Sequence, residues 1–112
     1  MLVGGALNLI GDDTLYGRNW GCVADFKFLH FEACYYQAID FAIERGLARV
    51  EAGAQGQHKI QRGYLPTFTY SNHFLESDNF RDAVDDFVGR EHMQLKHEAA
   101  MLMEESPFRK TD

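Results

Sequence analysis

Cysteine and long apolar runs are both scarce in this chain of 112 residues. Its two cysteines, Cys22 and Cys34, form no CxxC pair, and a disulfide scaffold normally needs more, so reduced thiols are expected. No apolar run approaches the roughly 18 residues of a membrane span, and the opening MLVGGALNLIGDD carries no basic signal-peptide region. These absences predict a cytoplasmic protein without a membrane span.

Fingerprint motifs of common enzymes are missing as well. The sequence contains no Walker loop, no GxSxG elbow, no HExxH and no GxGxxG after a strand. The formal net charge is −6, and the whole excess lies between Glu76 and Glu105, where nine acids accompany three bases. We expect no general nucleic-acid binding, because such binding requires cations that neutralise phosphates. The acidic run is interpreted as a solvated helix face.

What the chain does contain is enough apolar material for a core. Apolar residues make up 46%, including nine Phe, five Tyr and one Trp, which is typical of a globular protein. The length fits a single domain over residues 1–112.

The first half of the chain shows first the alternation of strands and then the apolar spacing of a helix. Residues 2–10 and 14–20 alternate around a Gly11-Asp12-Asp13 turn, which predicts a β-hairpin, and 26–31 (FKFLHF) reads as a third short strand. Apolar residues from Phe31 to Ile43 then recur at helical spacing, and Gly46 is a natural stop.

The second half continues with a strand over 47–52, and the resulting β-α-β unit implies a parallel pair. A further strand is predicted over 64–75, late or at an edge because of Pro66, and a helix capped by Ser77 runs to about Glu105. The predicted fold class is α+β, an α/β sandwich around a mixed sheet.

The segment RVEAGAQGQHKIQRGY (49–64) is the leading candidate for a functional site. Gly53 and Gly56 permit close backbone approach, and His58, Lys59 and Arg62 form a compact cationic cluster before Gly63-Tyr64, suited to a phosphate or carboxylate. The hypothesis is that the bend after Ala52 and these cations line one cavity. The alternative is a solvated loop.

Two further residues are candidates for this site. Glu51 lies near the carboxyl end of the predicted parallel strand, where ligands collect in open sheets, so it could orient an amine or act as a base. Its alternative is an ion pair with Arg49 or another surface cation. Tyr36 is predicted to reach a cleft or a neighbouring strand, although core packing is the default for both Tyr35 and Tyr36.

The HxExC alternation of His30, Glu32 and Cys34 raises the question of metal binding. The helical stripe begins at Phe31, so these residues do not share a strand face, and no fourth ligand follows nearby. Core packing for Cys34 and a capping or surface role for Glu32 are the favoured interpretation, and no metal site is predicted.

A family resemblance emerges from FLHFEACYYQAIDFAIERGLARVEAGAQGQHKIQRGYLPTFTYSNHF (28–74), together with ALNLIGDDTLYGRNWGC before it and SPFR after it. These blocks resemble the C-terminal part of predicted bacterial N-acyltransferases, the peptidoglycan biosynthesis/recognition proteins, a FemAB-like branch of the GNAT superfamily. The resemblance implies a GNAT-like mixed sheet and transfer of an acyl group to an amine. It also implies that 1–112 is the C-terminal part of a longer acyltransferase.

In Fem-type relatives the donor is an aminoacyl-tRNA and the acceptor a cell-wall precursor peptide. The GNAT pyrophosphate loop, Gln/Arg-x-x-Gly-x-Gly/Ala, is absent from residues 24–31, so the donor stays open between acyl-CoA and aminoacyl-tRNA. By this resemblance Glu51 would lie near the acceptor amine, with Lys59 and Arg62 holding an anionic group and amides of 53–56 stabilising an oxyanion. The alternatives are a non-catalytic module that recognises a peptide or wall precursor, and an oligomerisation element formed by the C-terminal helix.

Overall fold

The structure, a computed structural model, describes residues 1–53 and 56–111. The chain divides into two compact units, Met1–Tyr64 and Leu65–Asp112. The first unit contains a small sheet, a helix and a 3-10 turn, and the second contains one long helix. The predicted α+β class is confirmed.

Three strands form a mixed sheet in the order β1-β2-β3. Strand β1 (Gly4–Ile10) pairs antiparallel with β2 (Thr14–Cys22), and the turn between them is closed by the Gly11 N–H donating to Thr14 O at 2.8 Å. Strand β3 (Arg49–Glu51) pairs parallel with β2, with Leu15 opposite Val50. The predicted hairpin is therefore confirmed. A parallel pair is also present, but the partner of β3 is β2 and not the strand that was predicted just before the helix.

The helix between β2 and β3 has an irregular start. It begins as α1 (Leu29–Phe31), passes through a π-helical segment (Glu32–Tyr36) and continues as α2 (Gln37–Arg45). Gly46, with φ of 69°, ends it, and its N–H together with that of Leu47 bonds to the last carbonyls. A left-handed glycine at this position is the usual way for a helix to stop, so the predicted stop is confirmed.

The prediction of a strand over 26–31 is wrong. The N–H of Leu29 bonds to Phe26 O, Phe28 adopts a left-handed φ of 66°, and the helix starts at Leu29. A short apolar run satisfies a buried strand and a helix start equally well, and here the period of the following helix extends back through it.

The core of the first unit lies between the sheet and the helix. Its most buried apolar side chains are Leu15, Tyr35, Ala38, Ala42 and Ile60, each no more than 6% exposed. They come from β2, from the helix and from the turn at 57–62. The core therefore packs this turn against the sheet and the helix. Burial of this kind is the main stabilising contribution in a domain of this size.

The second unit is built around α3 (Asp78–Glu104), which spans 27 residues. Ser77 caps it by accepting from the Phe80 N–H, and Arg81 donates to Leu75 O at 2.6 Å, fastening the preceding segment. Within the described part of the chain, no helix has both the length and the apolar character needed to cross a bilayer.

The prediction of a strand over 64–75 is also wrong. Residues 65–75 have no regular secondary structure, although they are rich in β-branched and aromatic side chains. Strand formation needs a partner ladder as well as propensity, and the ladders described in this protein involve only β1, β2 and β3. Pro66 further removes one backbone donor.

Candidate functional site

The bend after β3 is held by a lysine from the next turn. Lys59 Nζ donates to Ala52 O at 2.6 Å and to Gly53 O at 3.2 Å. Partial burial lowers the pKa of the Lys59 ammonium. An ammonium has three N–H donors, so one remains for a ligand after these two bonds.

A 3-10 helix, Gln57–Arg62, follows this bend and carries His58, Lys59 and Arg62. Gly63, with φ of 88°, ends it, and the Tyr64 N–H bonds to Lys59 O. Gly53 and Gly56 also have positive φ values, of 83° and 104°. Ala54 and Gln55, which belong to the predicted glycine turn, lie outside the described residues, so the amide pocket predicted over 53–56 stays a prediction.

His58 is bound to the helix through Tyr35. The Tyr35 hydroxyl and His58 Nε2 lie 2.9 Å apart, and the Tyr35 side chain is 4% exposed. On the other side the imidazole lies against Gly56, where a Cβ atom would come within 2.6 Å of His58 Cε1. The ring is therefore held between a buried phenol and a residue without a side chain.

Around this pair lies a group of rings that we call the histidine–aromatic cluster. Its members are Trp20, His30, Phe31, Tyr35, His58 and Tyr64. His30 is the central member, with ring centroids 5.5 Å from Trp20, 5.5 Å from Tyr35 and 6.3 Å from His58. The cluster joins β2, the helix and the 3-10 helix into one packed surface.

Arg62 covers one edge of this cluster. Its guanidinium lies 3.8 Å from the centroid of the Phe31 ring, and Nη1 donates to His58 O at 2.7 Å. Its Nε atom is buried and has no hydrogen-bond partner among the described residues. A guanidinium stacked on an aromatic face with donors to spare is a common site for a carboxylate or phosphate.

The surroundings of His58 oppose protonation of its imidazole. Desolvation lowers the pKa of the His58 imidazole, and the nearby Arg62, His30 and Lys59 lower it further. The ring is therefore neutral at neutral pH. Burial, the main cause, likewise raises the pKa of the Tyr35 phenol, so that Tyr35 stays protonated beside it.

The structure brings some of the predicted site residues together and leaves others apart. Lys59 reaches the bend at Gly53, while His58 and Tyr64 both contact Tyr35. Arg62 stacks on Phe31 and also donates to His58 O.

Glu51 and Tyr36 are exposed, and no side-chain contact is described for either. The alternative in which Glu51 pairs with Arg49 is not seen, because Arg49 lies 3.8 Å from Asp13.

Sequence reasoning missed the role of the helix in this site. The sequence pattern indicates only core packing for Tyr35 and only a candidate metal ligand at His30. The missing signal is the π-helical segment at Glu32–Tyr36, which changes the direction in which Tyr35 and the residues before it project. π-Helical turns are often found at functional sites.

The HxExC residues diverge in the structure. His30 packs against aromatic rings, the Glu32 carboxylate accepts from Gln37 Nε2 at 2.8 Å, and Cys34 is a half-buried free thiol whose pKa is raised by burial. Each residue therefore has a packing or surface role.

Two of the shallow hollows formed by the described residues lie in the first unit, and residues outside the candidate site line them. The larger, of about 500 Å³, lies beside Val3, Phe28 and Glu32. The smaller, of about 330 Å³, lies between β1 and the helix, beside Asn8, Gln37 and Phe41. The hypothesis that the bend and the cations share one cavity stays a prediction.

Comparison with known proteins identifies the family. The profile of the FemAB-like family, described as peptidoglycan biosynthesis/recognition, matches residues 1–110, so the chain belongs to this family. Its role therefore lies in peptidoglycan biosynthesis or recognition. Searches of curated proteins and of solved structures gave no significant match.

The packing of Tyr64 leads to a prediction about pH. Tyr64 Oη donates to Tyr35 O at 3.2 Å, and burial raises the pKa of the Tyr64 phenol from 10.0 to about 12. The folded state therefore holds this proton more tightly than the unfolded state, and its contribution to stability is complete below about pH 10 and is lost as the pH rises to about 12.

Urea unfolding followed between pH 9 and 12 should show this decline, and Tyr64→Phe should show a weaker one, with the remainder due to Tyr35 and Cys34, whose pKa values are also raised by burial. Equal declines in both proteins would contradict the assignment.

Proposed function

We propose that this protein is an N-acyltransferase that moves an acyl or aminoacyl group onto the amine of a peptidoglycan precursor peptide. The family match supports the peptidoglycan part of this proposal. The observation that carries the transfer part is the bend held by Lys59 directly after β3, which ends at Glu51, together with the Tyr35–His58 pair on the 3-10 helix that follows the bend. Ligands of sheets with parallel strands bind at such ends.

The roles follow from what each side chain has available. Glu51 is exposed at the end of β3 and is proposed to orient the acceptor amine and receive its proton. Lys59 and Arg62 are proposed to hold an anionic part of the donor or acceptor. Both have N–H groups left after their backbone contacts, and these are the donors that a phosphate or carboxylate would use. We place the reaction in the cytoplasm, where nucleotide-linked precursors and both classes of donor occur.

Binding by the cations can be measured directly. Calorimetry of the chain with nucleotide-linked muropeptide, acyl-CoA and aminoacyl-tRNA should give heat with the muropeptide and with one donor. Lys59→Ala and Arg62→Ala should each weaken the binding by about tenfold, the effect of losing one charge-assisted hydrogen bond.

Lys96→Ala is the matched control, since Lys96 is an exposed lysine on α3, and it should bind as the wild type does. No heat with any of the three ligands would refute the proposal. Unchanged affinity in both variants would remove Lys59 and Arg62 from the site.

A second candidate is a recognition module that binds the precursor without transfer chemistry. It is favoured by the family description, which names recognition beside biosynthesis, and by the two structural bonds that Lys59 already makes. Such a module needs no base, so Glu51→Gln should leave its affinity for the muropeptide unchanged.

A further inference from the structure

The hydrogen bond between Tyr35 and His58 has a definite direction. Tyr35 is 4% exposed, and among the described residues only His58 Nε2, at 2.9 Å, lies within hydrogen-bond distance of its hydroxyl. A buried O–H without an acceptor costs about 1–3 kcal/mol, so the hydroxyl donates to Nε2. The proton of the neutral imidazole is then on Nδ1.

The Nδ1–H group is available to a ligand. No hydrogen-bond partner for Nδ1 occurs within the part of the chain that is described. At Gly56 a Cβ atom would lie 3.1 Å from Nδ1 and 2.6 Å from Cε1, so only a glycine leaves space for the ring there. The hydrogen bond from Tyr35 to Nε2 holds the same ring, and it therefore fixes the direction of Nδ1–H.

The surroundings also keep this donor neutral. Arg62 and Lys59 lie on the same 3-10 helix, and His30 faces the ring from α1 at a centroid distance of 6.3 Å. The remaining titratable groups beside the cluster are Tyr35, Tyr64 and Cys34, whose pKa values are all raised and which therefore stay uncharged. A neutral imidazole in a positive environment donates to a negative oxygen without itself needing a counter-ion.

We propose that His58 is a catalytic residue that stabilises the oxyanion of acyl transfer through Nδ1–H, with Tyr35 and Gly56 as positioning residues. This inference rests on the transferase function proposed above. It assigns stabilisation of the oxyanion to a side chain, whereas the family resemblance pointed to the backbone amides of 53–56.

The chemistry balances without any proton transfer to or from His58. The acceptor amine forms a bond to the carbonyl carbon of the acyl donor, and the carbonyl electron pair moves onto oxygen, which accepts from His58 Nδ1–H. The carbonyl then re-forms as the bond from carbon to the leaving sulfur or oxygen breaks. The proton lost by the amine nitrogen passes through Glu51 to that leaving group, and His58 ends the cycle unchanged.

Nitrogen NMR of the histidine-labelled chain tests the tautomer. We expect His58 in the Nδ1–H form at neutral pH, and we expect Tyr35→Phe to move it towards the Nε2–H form that is preferred by an unconstrained histidine. A merely structural Tyr35 would not change this signature. Finding Nε2–H in the wild type would overturn the inference.

The second test measures the kinetics of acyl transfer to nucleotide-linked muropeptide. His58→Leu should lower kcat by about 10²–10³-fold with little change in KM, the usual effect of removing one oxyanion donor. His58→Asn places an amide N–H near the Nδ1 position and should recover at least part of this loss. His97→Leu, on α3, is the control and should retain wild-type kcat, and circular dichroism establishes that each variant is folded.

The outcomes separate the two proposals. Transfer by the wild type with an unchanged kcat in His58→Leu would refute the role of His58 and leave the transferase function standing. Absence of transfer by the wild type would refute both.

Discussion

Leu15→Ala should lower the free energy of unfolding by about 2–5 kcal/mol, the range for removing a buried leucine side chain from a packed core. Leu15 is 2% exposed on the central strand β2, opposite Val50 of β3. Its strand pairs with both β1 and β3, so its burial supports the centre of the sheet. Urea unfolding monitored by far-UV circular dichroism measures the change.

Leu9→Ala is the matched control, because Leu9 lies on β1 of the same sheet but is 54% exposed. Its cost should stay below about 1 kcal/mol, as for other exposed positions. Similar losses for both variants would contradict the core described for the first unit.

Gly56→Ala should disconnect His58 from Tyr35 and destabilise the fold by about 2–4 kcal/mol. Gly56 has φ of 104°, a conformation that costs a residue with a side chain about 1–3 kcal/mol. The new methyl group would also lie 2.6 Å from His58 Cε1, so the imidazole must swing away and lose its 2.9 Å hydrogen bond to Tyr35. Urea unfolding and the ring resonances of His58 report the two effects separately.

Gly46→Ala isolates the backbone contribution. Gly46 also has a positive φ, of 69°, but nothing lies within 4 Å of the position that its Cβ would occupy. This variant should lose about 1–2 kcal/mol from left-handed strain alone and leave the His58 resonances unchanged. Unaltered His58 resonances in Gly56→Ala would contradict the packing described for the imidazole.

Local patterns predicted much of the fold because their physical causes are local. The hairpin follows from alternation around a Gly-Asp-Asp turn, α2 from its apolar stripe and Gly46, and α3 from Ser77 and its helical period. The intervening helix indicates a parallel pair for β3, although it does not reveal that the partner is β2. Each of these signals lies within a few residues of the element that it specifies.

The errors arose where tertiary context decides. Residues 26–31 and 64–75 have the composition of strands, yet strands require a partner that composition does not reveal. The first segment became a turn and the start of a helix, and most of the second has no regular structure. The family resemblance was confirmed by the family profile. It could be recognised from the sequence because it rests on specific residue blocks.

The candidate site was predictable in part. The glycines and cations of 49–64 indicate a segment whose residues have specific contacts in the structure, since His58, Lys59 and Tyr64 all lie beside the bend or the helix. The partner of His58 could not be found in this way, because Tyr35 is 23 residues away and its orientation depends on a π-helical turn. Pairing between distant side chains is a property of packing.

The most direct test of the account is a transfer assay on the 112-residue chain. Nucleotide-linked muropeptide is incubated with acyl-CoA or with aminoacyl-tRNA, and mass spectrometry looks for a new amide on the muropeptide. The account predicts that one donor yields a product heavier by its acyl group, and that Glu51→Gln slows this reaction without weakening muropeptide binding. Binding of the muropeptide with no product from either donor would contradict it and identify a recognition module instead.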